Sequence, residues 1–240
     1  MGKRNSPRRR ASAARKPRAK RPPEPTKHPP WAKNRKRKVL YLASASPRRR
    51  ELLALLGVPF VVEVSRFDEA TLNHLTDPAG YVRKAARSKA REVASRFAGV
   101  ILGCDTDVSA PDGTILGKPR DADDAKQMLR TLSGKSHSVY SAVALMESDG
   151  ETVTREAVRV IETRVTFDTL SEAAINAYVA TGDPLDKAGA YGIQSGGLAF
   201  VTRIEGDLSS VIGLPLPTVR ELLTAFGVAL YTGVANPCPP

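Results

Sequence analysis

The chain has 240 residues, of which 41% are hydrophobic, and a formal net charge of +12. That length and apolar content allow one large domain or two small ones with a sizeable core. Two cysteines, Cys104 and Cys238, and three scattered histidines exclude a disulfide framework and weaken any zinc site.

The charge is unevenly placed. Residues 1–38 hold 16 of the 37 basic residues and one of the 25 acids, Glu24, which leaves 21 basic against 24 acidic residues from 39 onward. The basic segment combines its Lys and Arg clusters with Pro and Ser and has Trp31 as its only aromatic residue. It cannot bury enough surface to fold alone, and we expect a disordered basic extension over 1–38. No stretch of the chain approaches the ~18 uncharged apolar residues of a membrane span, so the expectation is a soluble, cytoplasmic protein. The Arg-rich, acid-poor extension leaves three readings open: a solvated tail, an organellar transit peptide, or a nuclear or nucleic-acid-contacting patch.

From residue 39 the pattern is that of an α/β body reaching residue 230, with a short tail over 231–240. Residues 39–43 are apolar strand formers, and Ser46 followed by Pro47 marks a helix start. That helix stops at Gly57, and a strand follows over 58–64. Residues 81–98 read as a helix with Val82, Ala86, Val93 and Phe97 on one stripe, and Lys89 falls inside it. A charged head there either snorkels out or meets an anion. Residues 100–104 form a strand with Asp105 at its carboxyl end, where ligand sites of α/β sheets gather. A turn at 111–113, a helix from Asp121 to Leu132, and two antiparallel strands over 139–146 and 158–167 come next. Then follow a helix over 171–180, a Gly-rich stretch over 182–197, a strand over 198–204 and a closing helix over 216–226.

Chemistry concentrates in four places. In Ser44-Ala-Ser-Pro-Arg-Arg49, the hydroxyls of Ser44 and Ser46, the free amides of a helix start and the guanidinium groups of Arg48 and Arg49 form an anion site, unless the arginines are merely solvated. Lys118 follows Gly117 and precedes Pro119, a fixed backbone suited to a phosphate contact. The spacing from Gly113 is one residue short of a Walker loop, and the Ser or Thr of that motif is missing. Asp105 can bind a hard metal ion and orient water. Asp107 shares its face if the strand continues, and Glu69 or Asp68 can add a ligand.

Taken together and in order, four motifs resemble those of the Maf-like nucleoside triphosphate pyrophosphatases, over residues 39–228. They are Leu42-Ala-Ser-Ala-Ser-Pro-Arg-Arg49, Gly103-Cys-Asp-Thr106 with Gly117-Lys-Pro119, Leu132-Ser-Gly-Lys-Ser-His137, and Asp186-Lys-Ala-Gly-Ala-Tyr-Gly-Ile-Gln194 with Gly213-Leu-Pro215. The resemblance implies a mixed twisted sheet flanked by helices, two lobes around a deep cleft, and often a homodimer. It assigns catalysis to Asp105, phosphate contacts to Arg48, Lys89 and Lys118, and the metal, Mg²⁺ or Mn²⁺, to Asp105 with Glu69. Arg48, Thr106 and Gln194 match the branch acting on dTTP and UTP. A glutamine can pair donor and acceptor with a pyrimidine edge, although a structural role in a Gly-rich turn is also open to it. Three features depart from the family pattern: Asp107 in place of an apolar residue, Ser195-Gly196 after the glutamine, and the basic extension. The alternative function is a nucleic-acid-associated or division-regulating scaffold that binds through that extension.

Overall fold

The computed structural model describes Gly2 and residues 38–231. The expected disordered extension, apart from Gly2 and Lys38, and the chain beyond 231, Cys238 included, lie outside the described residues. Six strands form one mixed sheet: β1 (Leu40–Leu42), β2 (Phe60–Val62), β3 (Ala98–Ser109), β4 (Ser136–Asp149), β5 (Val153–Phe167) and β6 (Val201–Glu205), in the spatial order β2-β1-β3-β4-β5-β6. β1 runs parallel to both β2 and β3, and each later pair is antiparallel.

The helices are α1 (Pro47–Ala54), α2 (Pro78–Ala94), α3 (Ala122–Leu132), α4 (Glu172–Ala180), α5 (Leu208–Ile212) and α6 (Leu216–Ala225). α1 starts where the sequence places it. Ser46 is extended and its hydroxyl accepts from the Arg49 amide, with Pro47 in the first helical position; this satisfies one orphan donor while the proline supplies none. Leu52, Leu53 and Leu56 then bury against Leu40 and Leu42, each stabilising the fold by about 2 kcal/mol.

Two apolar clusters divide the long strands between them. The first gathers α1, α6 and Val100, Leu102 and Cys104 of β3. The second gathers α3, α4 and Val108 further along the same strand. Residues 105–107 of β3 therefore sit at the boundary between the two lobes. They also sit on an open edge: β1 ends at Leu42, opposite Leu102, and among the described residues β3 is next paired on that side where the Leu116 amide bonds to the Val108 carbonyl and Ile115 bridges Ser109. Side chains on both faces of β3 can reach the gap.

Several elements differ from the sequence expectation. β3 runs on through Asp105-Thr-Asp107 to Ser109, because those polar residues pair in register with Ala142, Ser141 and Tyr140 of β4. α2 starts at Pro78, three residues early, since Asp77 caps the amides of Ala79 and Gly80 at 3.2 and 2.9 Å. It stops at Ala94, leaving Phe97 beyond the helix and against Tyr41. The strand expected over 198–204 begins only at Val201, because Gly196–Phe200 forms a 3₁₀ turn that delivers Phe200 to an aromatic cluster. α5 was not expected; it is a single turn capped by Asp207.

That cluster contains a buried histidine. His137 stacks edge-on with Phe167 and Tyr191, its Nε2 lies 2.9 Å from the Tyr191 hydroxyl, and its Nδ1 has no partner. Burial lowers its pKa from 6.5 to about 4. Between those values the unfolded chain binds a proton that the folded protein refuses, so stability falls as pH drops from 6.5 towards 4, by on the order of 3 kcal/mol. In urea titrations from pH 7 to pH 4, His137→Phe is expected to lose that much less stability than the parent. Parallel curves for the two proteins would rule this out.

Candidate active site

The gap between the lobes is a cleft of about 620 Å³, within the range of small-molecule sites. Of the residues singled out from the sequence, eleven line it: Ser44, Ser46, Arg48 and Arg49 from the β1–α1 loop and α1, Glu69, Lys89 of α2, Asp105, Thr106 and Asp107 of β3, Lys118, and Gln194; Asp68 does not. They come from six separate segments of chain.

On one face of β3, the Lys89 ammonium bridges two carboxylates, 2.6 Å from Asp105 Oδ1 and 2.9 Å from Glu69 Oε1. Lys89 and Asp105 side chains are only 12% and 8% exposed, so the lysine in the apolar stripe of α2 meets an anion and does not snorkel out. Gly103 allows that approach, because α2 lies directly on it. Glu69 opens a 3₁₀ turn whose cap is Asp68, which accepts from the Ala70 amide at 3.0 Å. Asp68 is thus committed to the backbone and is absent from the cleft wall, whereas Glu69 lines it.

Burial raises the pKa of Asp105, against the pull of Lys89 and Arg49. Asp107 does share its face, and burial, with Asp105 and Glu69 adding to it, pushes its carboxyl up to about 7. One oxygen of Asp107 accepts from the Val108 amide at 2.8 Å. Tyr81, two helical turns before Lys89, faces the same acids, and burial together with their charge takes its phenol to about 12. The sequence reading gave Tyr81 no role; its i, i+8 spacing from Lys89 on one helix face was the available signal.

On the other face of β3, Arg49 is tied at three points: Nε to the Gly213 carbonyl at 2.9 Å, Nη1 to Ser44 Oγ at 3.2 Å and Nη2 to Thr106 Oγ1 at 3.3 Å. Thr106 lies 2.7 Å from Ser141 Oγ, which donates to the Ser210 carbonyl. Arg48 points across the mouth of the cleft and pairs with Asp186 at 3.2 Å. Lys118 is exposed and has no polar partner among the described residues; its loop is pinned because the Gly189 amide bonds to both the Leu116 and Gly117 carbonyls. Lys187, also in the wall, is occupied by Asp183 and Asp186. The Gln194 amide is exposed and has no polar partner among the described residues.

A cleft that sets five cations beside four carboxylates suits a polyanion carried with a divalent cation. Among the described residues no three His, Cys, Asp or Glu side chains form a metal cage. Mg²⁺ and Mn²⁺ sites need less, since one or two carboxylates with substrate phosphates and water suffice. The pair Asp105 and Glu69 already shares one cation, the Lys89 ammonium, so this all-oxygen donor set fits such an ion.

Residues 39–226 match the model of the family described as Maf-like protein. The chain belongs to that family. Among its curated relatives, the dTTP/UTP pyrophosphatase of Symbiobacterium thermophilum is 48% identical over 198 residues, 82% of this chain and 98% of the relative. The protein of the same name from Moorella thermoacetica is 50% identical over 193 residues, 80% of this chain and 97% of the relative. A solved structure of a nucleoside-triphosphatase, the dITP/XTP pyrophosphatase of Mycobacterium abscessus, covers 55% of this chain and 74% of its own at 17% identity and a TM-score of 0.36, a likeness too slight to bear on the fold. Within this Maf-like chain three of the four motifs meet at one cleft, while Leu132-Ser-Gly-Lys-Ser-His137 lies outside its wall, with Leu132 and His137 buried in the second lobe.

Proposed function

We propose that this Maf-like protein hydrolyses nucleoside triphosphates, dTTP and UTP foremost, to the monophosphate and pyrophosphate. The Lys89 ammonium held between buried Asp105 and Glu69, across the cleft from the arginines of α1, carries the reading. The relatives' names supply the nucleotides. A scaffold that binds only through a basic extension has no use for such a cleft.

Asp105, its carboxylate made more basic by burial, takes a proton from the water that attacks the α-phosphorus. The new bond joins the water oxygen to that phosphorus, and the bond from the α-phosphorus to the bridging oxygen breaks, so pyrophosphate leaves with the electron pair. Lys89 holds the Asp105 carboxylate in position, while Arg48, Arg49 and Lys118 face the charge that gathers on the leaving oxygens. Ser44 and Ser46 steady the β1–α1 loop around that charge. Asp105 and Glu69 would hold Mg²⁺ or Mn²⁺, which when bound neutralises phosphate charge and acidifies water. Thr106 acts on the substrate through Arg49, which it orients, and Gln194 offers its free amide to the base.

The test is a nucleotide panel. The purified full chain with Mg²⁺ is expected to release pyrophosphate from dTTP and UTP at least about tenfold more efficiently than from CTP, GTP or 7-methyl-GTP. Release of orthophosphate instead of pyrophosphate would sink the proposal.

A further inference from the structure

The turn that carries Gln194 is fastened at both ends to one carboxylate outside the cleft wall. Gly192 and Ser195 flank the glutamine, and their backbones close the turn through a 3.1 Å bond from the Ser195 amide to the Gly192 carbonyl. At the first end, the Gly192 amide donates to the Tyr178 hydroxyl at 3.0 Å, and that hydroxyl donates to Asp183 Oδ2 at 2.5 Å. At the second, the Ser195 hydroxyl lies 2.6 Å from the same Oδ2. Asp183 Oδ1 meets the Lys187 ammonium at 3.0 Å, and that ammonium also bonds to the Asp183 carbonyl at 2.6 Å.

A Cβ on Gly192 would strike the Ser195 hydroxyl and lie 2.6 Å from Lys187 Cε. Tyr178 packs edge-on against Phe200, which ties this assembly to the aromatic core of the second lobe. The Gln194 side chain, by contrast, makes no polar contact of its own among the described residues. What places its Cα is the turn backbone, which is fastened to Asp183.

We infer that Asp183 is the positioning residue for base selection: through Tyr178 and Ser195 it holds the Gln194 amide at the angle that reads a pyrimidine edge. The inference rests on the proposed base-reading role of Gln194. It also gives Ser195, a departure from the family pattern, a function, since a glycine there would leave the second end of the turn untied. Lys187 completes the hub by balancing the Asp183 charge beside Asp186, so Asp183 stays an acceptor for both hydroxyls. The lost orientation is worth about one net hydrogen bond, or about tenfold in discrimination.

Pyrophosphate release from UTP and CTP separates the outcomes. Asp183→Asn and Ser195→Ala are each expected to lower the UTP to CTP ratio of kcat/KM by about tenfold through KM for UTP, with kcat at saturation held within about twofold. Ser195→Thr keeps the hydroxyl and is expected to keep the ratio. Combining Asp183→Asn with Gln194→Ala should lower the ratio no further than Gln194→Ala alone, because both act on one contact. If Gln194→Ala lowers the ratio and neither Asp183→Asn nor Ser195→Ala does, the positioning role is wrong and base reading stands. If Gln194→Ala leaves the ratio unchanged, base reading fails and the role of Asp183 fails with it. Equal losses for both nucleotides in Ser195→Ala, a single exposed hydroxyl, would mark a merely structural contact and overturn the inference.

Discussion

Asp105→Asn is expected to cut kcat for UTP hydrolysis by about a thousandfold, the scale of a lost general base, while nucleotide binding and the fold survive. The amide has the shape of the carboxylate but cannot accept the proton of the attacking water, and it is a poor ligand for a hard cation. Stability should change little. In the folded protein burial already works against the Asp105 charge, so a neutral group of equal size relieves that penalty. Lys89 keeps its second partner, Glu69, and is not left as an unpaired buried charge. Measured without divalent cation, removing one negative group from a cleft that receives a triphosphate should leave the Kd for UTP equal or lower. Steady-state kinetics, equilibrium binding and urea denaturation on the same preparation read the three quantities separately. Residual activity above about one per cent, judged against the span expected of a general base, would show that the proton goes elsewhere. Asp107 is the nearest alternative acceptor on that face, and Asp107→Asn would then carry the larger loss.

The fold was legible where its cause is local. Ser46 with Pro47 announces α1 because the cap and the proline act within one turn, and the short apolar run over 139–146 announces a strand buried on both faces. Register is different. Asp105-Thr-Asp107 looked like the end of a strand, yet twelve residues of β3 pair with β4, and that pairing depends on residues some 30 positions away. Leu198-Ala-Phe200 looked like a strand start, but two glycines before it let the backbone wind into a 3₁₀ turn. Side-chain direction in the site was equally mixed. The misplaced charge of Lys89 in an apolar stripe left it either to snorkel out or to meet an anion, and the structure supplies two, buried Asp105 and exposed Glu69. Nothing in adjacent Arg48 and Arg49 says which turns inward; that follows from Ser44, Thr106 and Gly213 converging on Arg49 and from Asp186 waiting for Arg48. Asp183 carried no signal at all, since it acts at one remove from the substrate.

Gly103→Ala is the substitution expected to do most damage without altering any group in the cleft. A Cβ at this position would strike the Ala86 carbonyl and lie 2.8 Å from both the amide and the Cβ of Ala90. All of these atoms belong to α2 in the middle of its length, where a helix backbone cannot yield locally without losing its own hydrogen bonds. The helix must therefore lift from the sheet as a unit, at a cost of about 1–3 kcal/mol for an overpacked core contact. Lys89 adjoins Ala90, and its ammonium reaches Asp105 and Glu69 only because α2 touches β3. A displacement approaching 1 Å at the helix axis opens both contacts, and misplacement on that scale costs about a hundredfold in rate. Activity is expected to fall by that factor at temperatures where circular dichroism shows the variant fully folded, so that the loss reports geometry and not unfolding. Wild-type kcat in a folded Gly103→Ala protein would mean that catalysis tolerates a displaced Lys89, and the role given to the ammonium between the two carboxylates would have to be withdrawn.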